Sequence, residues 1–316
     1  MSKNIFSKLI NLKSKYVLPV MPRAGLAHGL FTWVEAYRQA KLNNAFFIHP
    51  HWLRFRIGPY LRGEKEKMIY RNIMKTPEWG VSPYFGRIAF PFLEKIYARD
   101  RLIDYGQVMV VRDDVRHSFE NFFGMEAEIK ESLLTISRNK FSNVKSVRPS
   151  SQFICVEYRS GDYQFIAKKN GFLTLDKRQQ RTFEGWNFTP LDFFVDVVLS
   201  LRKIAGREVP VVVSTDAYIE EIMPLLDLGG VTIARDDSAL LKLLEMSEAA
   251  VNVMGSSNFA AWEWFLGDAM AIYPAGRKSF FDRLGLGGKL QASYLFDDEN
   301  ELINPAIKKI IQMRLG

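Results

Sequence analysis

The sequence predicts an α/β protein of two doubly wound domains, and three observations predict it. Short apolar runs rich in β-branched residues alternate with segments at helical spacing, the rhythm of βαβ units. The length, 316 residues, exceeds what one small core holds. Around Phe141 to Ser151 the chain turns polar and basic and ends in Pro149-Ser150-Ser151, which divides it into expected domains of 1–150 and 151–316.

In the first half, Tyr16-Val17-Leu18-Pro19-Val20 reads as a strand. A loop with two glycines follows, Pro22-Arg23-Ala24-Gly25-Leu26-Ala27-His28-Gly29, and then a helical pattern from about Leu30 to Leu42. Ala45–Ile48 is a second strand, so the order strand, glycine-bearing loop, helix, strand opens a doubly wound fold. The stretch from His49 to about Pro91 is irregular, aromatic and basic, with Arg54, Arg56, Arg62, Lys65, Lys67 and Arg71. Gln107–Val111 reads as a strand and Asp113–Thr135 as helical.

In the second half, strands are expected at Phe153–Tyr158, Val209–Ser214, Val231–Ile233, Ala250–Met254 and Ala269–Tyr273. Helices are expected at Pro190–Ala205, Tyr218–Leu226, Ser238–Glu248 and Phe259–Leu266. Asn304 to Leu315 forms an amphipathic last segment through Ile307, Ile310, Ile311 and Leu315. No internal repeat and no low-complexity tract interrupts this order.

Hydrophobic content of 47% and charged content of 25% are those of a soluble globular chain. A net charge of +8 favours anionic partners: nucleotide phosphates, nucleic acid or an anionic membrane face. The single cysteine, Cys155, forms no internal disulfide and reads as a small buried hydrophobe in a reducing compartment. No run approaches the ~20 apolar residues of a membrane span. The first sixteen residues alternate lysines with Ile5, Phe6, Leu9, Ile10 and Leu12, without the continuous apolar core of a signal peptide. Two readings fit them: an interfacial helix on an anionic leaflet, or a solvated basic tail.

Three loops of the second half each follow a strand, so a parallel sheet brings them to one carboxyl edge, where open α/β sheets bind ligands. The first is Arg159-Ser160-Gly161-Asp162. An arginine fork there suits a phosphate, and an ion pair with Asp162 is the alternative. The second is Ser214-Thr215-Asp216. The third, Gly255-Ser256-Ser257-Asn258, opens the helix Phe259–Leu266. Its hydroxyls and free backbone N–H groups face an anion at the positive end of the helix dipole, or simply cap the helix.

The chain resembles the fucosyltransferase superfamily, the α-1,2 and α-1,6 fucosyltransferases and their bacterial relatives. That family reads glycine-leucine-glycine-asparagine-glutamine-leucine-phenylalanine near its amino terminus, and here stands Gly25-Leu26-Ala27-His28-Gly29-Leu30-Phe31. Its central motif, histidine-x-arginine-arginine-x-aspartate-tyrosine, is matched by Glu157-Tyr158-Arg159-Ser160-Gly161-Asp162-Tyr163. A later strand ending in serine or alanine, a variable residue and aspartate corresponds to Ser214-Thr215-Asp216. A serine pair before a tryptophan-rich helix corresponds to Ser256-Ser257 and Phe259 to Leu266.

The resemblance implies a GT-B fold, two Rossmann-like domains facing across a cleft with the second holding a nucleotide sugar. It implies that Arg159 binds the donor diphosphate, that Ser256 and Ser257 lie by its phosphates, and that Gly25, His28 and Gly29 line the cleft. The residues expected at the donor are therefore Gly25, Gly29, Glu157, Arg159, Asp162, Asp216, Asp237, Ser256, Ser257 and Asn258, with Arg159 and His28 catalytic. Four departures bear on the nucleotide. Glu157 replaces the histidine that helps hold guanine, Ser160 the second arginine and His28 the loop asparagine. The aspartate expected before the serine pair has its nearest counterpart in Asp237, about a turn upstream, while Leu241 and Lys242 occupy its region.

The expected reaction transfers a sugar, fucose from GDP-fucose by the resemblance or a sugar from another nucleotide, to a hydroxyl of a glycan or lipid-linked glycan. A bacterial surface polysaccharide is the family's suggestion. No metal and no cofactor are expected, since Asp236-Asp237 and Asp297-Asp298 are adjacent pairs rather than an Asp-x-Asp set. The acceptor base is sought among His28, Glu35, His49 and His51. Trp262 and Trp264 read as helix-packing residues. The place expected for such a chain is the cytoplasm, with peripheral contact to the inner membrane face if the basic terminus binds lipid. A non-enzymatic binder of nucleic acid or membrane is the rival class, and nucleic acid is the weaker of its two partners.

Overall fold

The structure is a computed structural model that describes residues 15–22, 24–50, 52, 74–77, 80–84, 102–104, 108–112, 118–137, 152–159, 189–234, 238–274, 277–289, 291–294 and 304–316. The basic amino terminus, His51, the Arg54–Arg71 stretch, the expected 141–151 boundary, Ser160 to Tyr163, Asp236, Asp237, Asp297 and Asp298 lie outside these residues. The fold is mixed α/β. The chain divides into two compact units, Met1–His117 with Glu131–Arg138, and Ser118–Lys130 with Asn139–Gly316.

The first unit holds a four-stranded sheet in the order β2-β1-β4-β3. Its strands are β1 (Tyr16–Val20), β2 (Phe46–Phe47), β3 (Leu102–Asp104) and β4 (Val108–Arg112). β1 runs parallel to both β2 and β4, and β3 is antiparallel to β4. Tyr16, Leu18, Ile48, Val108 and Val110 form its core on one face. Helix α1 spans Leu26–Leu42 and begins four residues before the expected Leu30. Gly25 is extended and takes the N-cap, so Leu26 to Gly29 form the first helical turn instead of a loop. Gly29 suits that turn because a Cβ there would sit 2.9 Å from Met21 Cε and 3.3 Å from a ring carbon of Trp52. Helix α2, Glu126–Ile136, contributes residues to both units.

The second unit is built on six parallel strands: β5 (Ile154–Tyr158), β6 (Val211–Thr215), β7 (Val231–Ile233), β8 (Val251–Met254), β9 (Met270–Pro274) and β10 (Gln291–Tyr294). The strand order is β10-β9-β8-β5-β6-β7. Counted from β5, this is the 3-2-1-4-5-6 order of a dinucleotide-binding sheet, whose direction of winding reverses between its first and fourth strands. Here those strands are β5 and β8, which are direct neighbours.

Alternation along β5 divides the unit into layers. Ile154, Val156 and Tyr158 face a core with α3 (Leu191–Ala205) and α8 (Pro305–Leu315), while Cys155 joins Phe153, Val212 and Met246 on the other side. Helix α3 buries Phe193, Phe194, Val197, Val198 and Leu201, one stripe at helical spacing. It ends at Gly206, whose φ of 69° only glycine adopts cheaply and whose N–H bonds Arg202 O.

The expected helix over Tyr218–Leu226 is instead a 3₁₀ turn, Ile219–Glu221, and a single turn, α4 (Met223–Leu226). Pro224 causes the break: it lacks an N–H and fits only the start of a helix. Helices α5 (Ala239–Met246), α6 (Asn258–Leu266) and α7 (Lys278–Arg283) complete the unit. Three elements escaped the sequence reading: β3, α7 and β10. Gln291-Ala292-Ser293-Tyr294 carries almost none of the β-branched signal of a strand, and lies at the sheet's edge.

Candidate functional site

The carboxyl ends of β5 and β8 meet at the point where the winding reverses, and three groups converge there. Glu157 and Arg159 stand at the end of β5, Asp216 follows β6, and Gly255-Ser256-Ser257 connects β8 to α6. Parallel register sets this level: Glu157 pairs with Ser214 on one side and with Met254 on the other. An open recess lies among Glu157, Arg159, Thr189, Phe194, Gly255, Ser256 and Ser257. Its enclosed room is about 10 Å³, that of a single water, so these residues form the floor of a shallow recess open to solvent.

Arg159 Nε lies 3.0 Å from Asp216 Oδ2, with both side chains about one third exposed. The arginine's described ion pair is thus with Asp216; Asp162 lies outside the described residues. Asp216 is held where Thr215 Oγ1 accepts from Ala217 N at 2.9 Å, a tight hydroxyl turn.

The two serines have different duties. Ser257 is the N-cap of α6: its Oγ accepts from Ala260 N at 3.0 Å and donates to Glu157 Oε1 at 3.1 Å. Ser256 is 3% exposed, and its Oγ has no hydrogen-bond partner among the described residues. Thr189, 4% exposed, likewise leaves Oγ1 unpartnered among them. A Cβ on Gly255 would stand 2.9 Å from Thr189 Oγ1, so glycine lets the two backbones approach. A buried hydroxyl without a partner costs about 1–3 kcal/mol, so two of them beside one recess make it the candidate site. Asn258 is the first residue of α6, half-buried.

Glu157 is 1% exposed. Burial pushes its pKa from 4.5 up to about 7, with the Asp216 carboxylate adding to the rise and Arg159, Ser257 and Lys242 opposing it. Its Oε2 has no hydrogen-bond partner among the described residues. Behind it lies Glu263 on α6, also 1% exposed, whose Oε2 meets Cys155 Sγ at 3.8 Å. Burial first, and the neighbouring Glu157 second, hold the Glu263 carboxyl well above its ordinary range. Lys242 on α5, 8% exposed, acts on both carboxyls as a buried cation. Each of these charges interrupts a short apolar run, Leu240-Leu241-Lys242-Leu243-Leu244 and Trp262-Glu263-Trp264. An isolated charge inside an apolar run was the signal in the sequence that could have found both; Thr189 left none.

The far end of α6 is fixed as firmly as its start. Lys289 Nζ donates to Trp264 O at 2.7 Å, Phe265 O at 3.0 Å and Gly267 O at 2.7 Å, a cation on the carbonyl end of the dipole. Trp262 and Trp264 are fully buried: Trp262 packs edge-on to Phe119 at 4.7 Å, and Trp264 Nε1 donates to Ala269 O.

The structure places the remaining expected residues in the first unit. His28 and Gly29 belong to the first turn of α1, His28 half-buried and Gly29 buried. Of the base candidates, Glu35 is tied to Arg38 at 2.8 Å and to Gln39, and His49 accepts from Trp52 Nε1 at 3.1 Å through Nε2. Among the described residues, no group of three or more His, Cys, Asp or Glu is set to hold a metal ion, and no helix is long and apolar enough to cross a membrane.

No family model and no curated protein matches the chain. Among solved structures, the α-1,6-fucosyltransferase NodZ soaked with GDP-fucose matches at 12% identity over 81% of this chain and 94% of its own, with a TM-score of 0.47. NodZ from Bradyrhizobium matches at 12% identity, 81% and 94% coverage and a TM-score of 0.45. POFUT1 in complex with GDP matches at 15% identity over 89% of this chain and 98% of its own, with a TM-score of 0.40.

Proposed function

We propose that the chain is a glycosyltransferase of the GT-B class that needs no metal and inverts the anomeric centre. Its donor on this reading is a GDP-sugar, GDP-fucose first, and its acceptor a hydroxyl of a glycan or lipid-linked glycan. The observation that carries the reading is the pair of buried hydroxyls without a partner among the described residues, Ser256 and Thr189, beside Arg159 at the amino end of α6. Buried hydroxyls, a guanidinium and a helix N-terminus at the winding reversal of a dinucleotide-type sheet are a diphosphate's natural partners.

In the reaction the acceptor oxygen attacks the anomeric carbon, the bond from that carbon to the diphosphate oxygen breaks, and the nucleoside diphosphate leaves with the electron pair. A base takes the acceptor proton, and His28 is the group we assign to it. Charge builds on the diphosphate, and Arg159, Ser256 and the N–H groups opening α6 are fixed donors aimed at that charge. Asp216, paired with Arg159 here, positions the guanidinium. Gly25, Gly29, Asp162, Asp237 and Asn258 remain assigned to the donor by motif position, with 1–150 as the acceptor domain and 151–316 as the donor domain. A surface polysaccharide as acceptor, and peripheral attachment to a membrane through the basic terminus, belong to the same proposal.

A thermal-shift series with GDP, UDP, ADP, CMP and dTDP tests it. GDP is expected to raise Tm most, and Arg159→Ala to cut the shift sharply at the same GDP concentration. Stabilisation by UDP alone would move the donor assignment and keep the enzyme reading. No shift with any of the five would remove the donor site.

A further inference from the structure

Three carboxyls and two cations meet at the switch point: Glu157, Glu263 and Asp216 against Arg159 and Lys242. These groups come from every element around Glu157: Arg159 from its own strand, Asp216 from the end of β6, Lys242 from α5 and Glu263 from α6. If all five were ionised, the cluster would already carry one excess negative charge before any ligand arrived. A diphosphate adds more, within a recess that Glu157 itself lines. An ionised Glu157, itself buried, repels such an anion.

The geometry offers one relief. Glu157 Oε1 is engaged by Ser257 Oγ at 3.1 Å, whereas the buried Oε2 has no partner among the described residues, in a side chain that borders the same recess as the Ser256 and Thr189 hydroxyls. A protonated Oε2 is a hydrogen-bond donor; an ionised one is a repelling charge.

Resting on the diphosphate reading above, we infer that Glu157 meets the ligand as a neutral carboxylic acid, giving an Oε2–H hydrogen bond to a phosphate oxygen, so that the protein takes up a proton when it binds a nucleoside diphosphate sugar. The proton comes from solvent and stays on Glu157, and no covalent bond to the ligand changes. Glu263, whose carboxyl burial holds well above its ordinary range, does not line the recess and has no ligand to meet there. Glu157, with a pKa of about 7 before binding, is the group poised to respond. A bound anion raises it further. Below about pH 7 the proton is already present and affinity is level. Above that, affinity falls by up to about tenfold per pH unit.

Calorimetry of the full chain with GDP-fucose tests this, because a diphosphate diester lacks the monoester proton that titrates near pH 6 and would confuse the count. Titrations at pH 6 and pH 8, each in two buffers of different protonation enthalpy, count the protons. Uptake of between about one half and one proton at pH 8, and little at pH 6, is expected. Glu157→Gln, which keeps a donor and removes the charge, is expected to lose the uptake and to bind at pH 8.5 at least as well as the wild type. Binding without uptake at pH 8 overturns the inference and leaves the donor site standing. Uptake that persists in Glu157→Gln overturns it in favour of Asp216. If Glu157→Gln folds yet loses binding at every pH, the carboxylate accepts from the ligand, and the inference is again wrong. No binding under any condition removes the donor site itself, and this inference with it.

Discussion

The Ser257 hydroxyl joins the end of a strand to the start of a helix: Oγ donates to Glu157 Oε1 at 3.1 Å while accepting from Ala260 N at 3.0 Å. One oxygen thereby fixes the separation of β5 from α6 at the level of the recess. The Oγ of its neighbour Ser256 has no hydrogen-bond partner among the described residues, and that contrast is why the donor-site proposal gives the ligand to Ser256 and the structural duty to Ser257.

Ser257→Ala should therefore destabilise the protein by about 1–2 kcal/mol, the loss of an N-cap together with the bond to Glu157. Ser256→Ala should leave stability unchanged or slightly raised, since it removes a buried hydroxyl with no partner among the described residues. Nucleotide affinity should follow the opposite order, with Ser256→Ala the more damaged. Urea unfolding and nucleotide titration on the two variants check both halves.

Arg159→Ala should weaken nucleotide binding by about tenfold or more, the loss of a charge-assisted contact of ~1.5–3 kcal/mol. Its fold should be unaffected, because the ion pair with Asp216 is about one third exposed and screened. Asp216→Asn gives the complementary outcome: the fork loses its anchor but keeps its charge, so affinity falls by less. Binding constants for the two variants, with circular dichroism as the control, decide the matter.

Stability should carry the mark of Glu157. Its pKa is raised in the fold, from 4.5 to about 7, so the folded state holds more protons than the unfolded chain between those values. The sign follows: this contribution is complete below about pH 4.5, is lost as pH rises, and is gone above about pH 7. The size is on the order of 3 kcal/mol. Glu157→Gln removes the dependence, so its stability relative to the wild type should rise between pH 5 and pH 8. Denaturant midpoints at several pH values measure it.

Gly267→Ala should be severely destabilising, by about 3 kcal/mol, because the added Cβ would collide with the backbone carbonyl of Ser247 at the end of α5. Gly29→Ala should cost much less, since the atom in its way is the mobile tip of Met21 and alanine is the better helix former. Thermal unfolding of the two variants tests the contrast.

Much of the second unit was legible because buried parallel strands are short β-branched runs, and Val211-Val212-Val213 or Val251-Asn252-Val253 can be read without a partner in view. The loops at the carboxyl edge were legible for the same reason. Strand order was not, since nothing in Ile154–Tyr158 says that Val251 will lie beside it, and that adjacency brings Arg159 to the serine loop. The division of labour between Ser256 and Ser257 was equally hidden, because it depends on which hydroxyl Glu157 reaches. Thr189 belongs to the recess through a contact with Gly255 that no spacing announces. In the first unit the start of α1 was misread because two glycines in seven residues resemble a loop, whereas one caps the helix and the other makes room for Met21.

The order β7-β6-β5-β8-β9-β10 also constrains how the chain comes to exist. β5 leaves the ribosome first among these strands, yet its place is the middle of the sheet, and its second edge stays bare until Val251 to Met254 arrive. Until then it can pair with β6 alone, and its free side is a template for the wrong neighbour. The recess cannot exist on a nascent chain that stops short of α6. A ligand therefore cannot assist the early steps of folding. It can only reward the last ones, and a chain cut before Asn258 should aggregate rather than survive as a weaker binder.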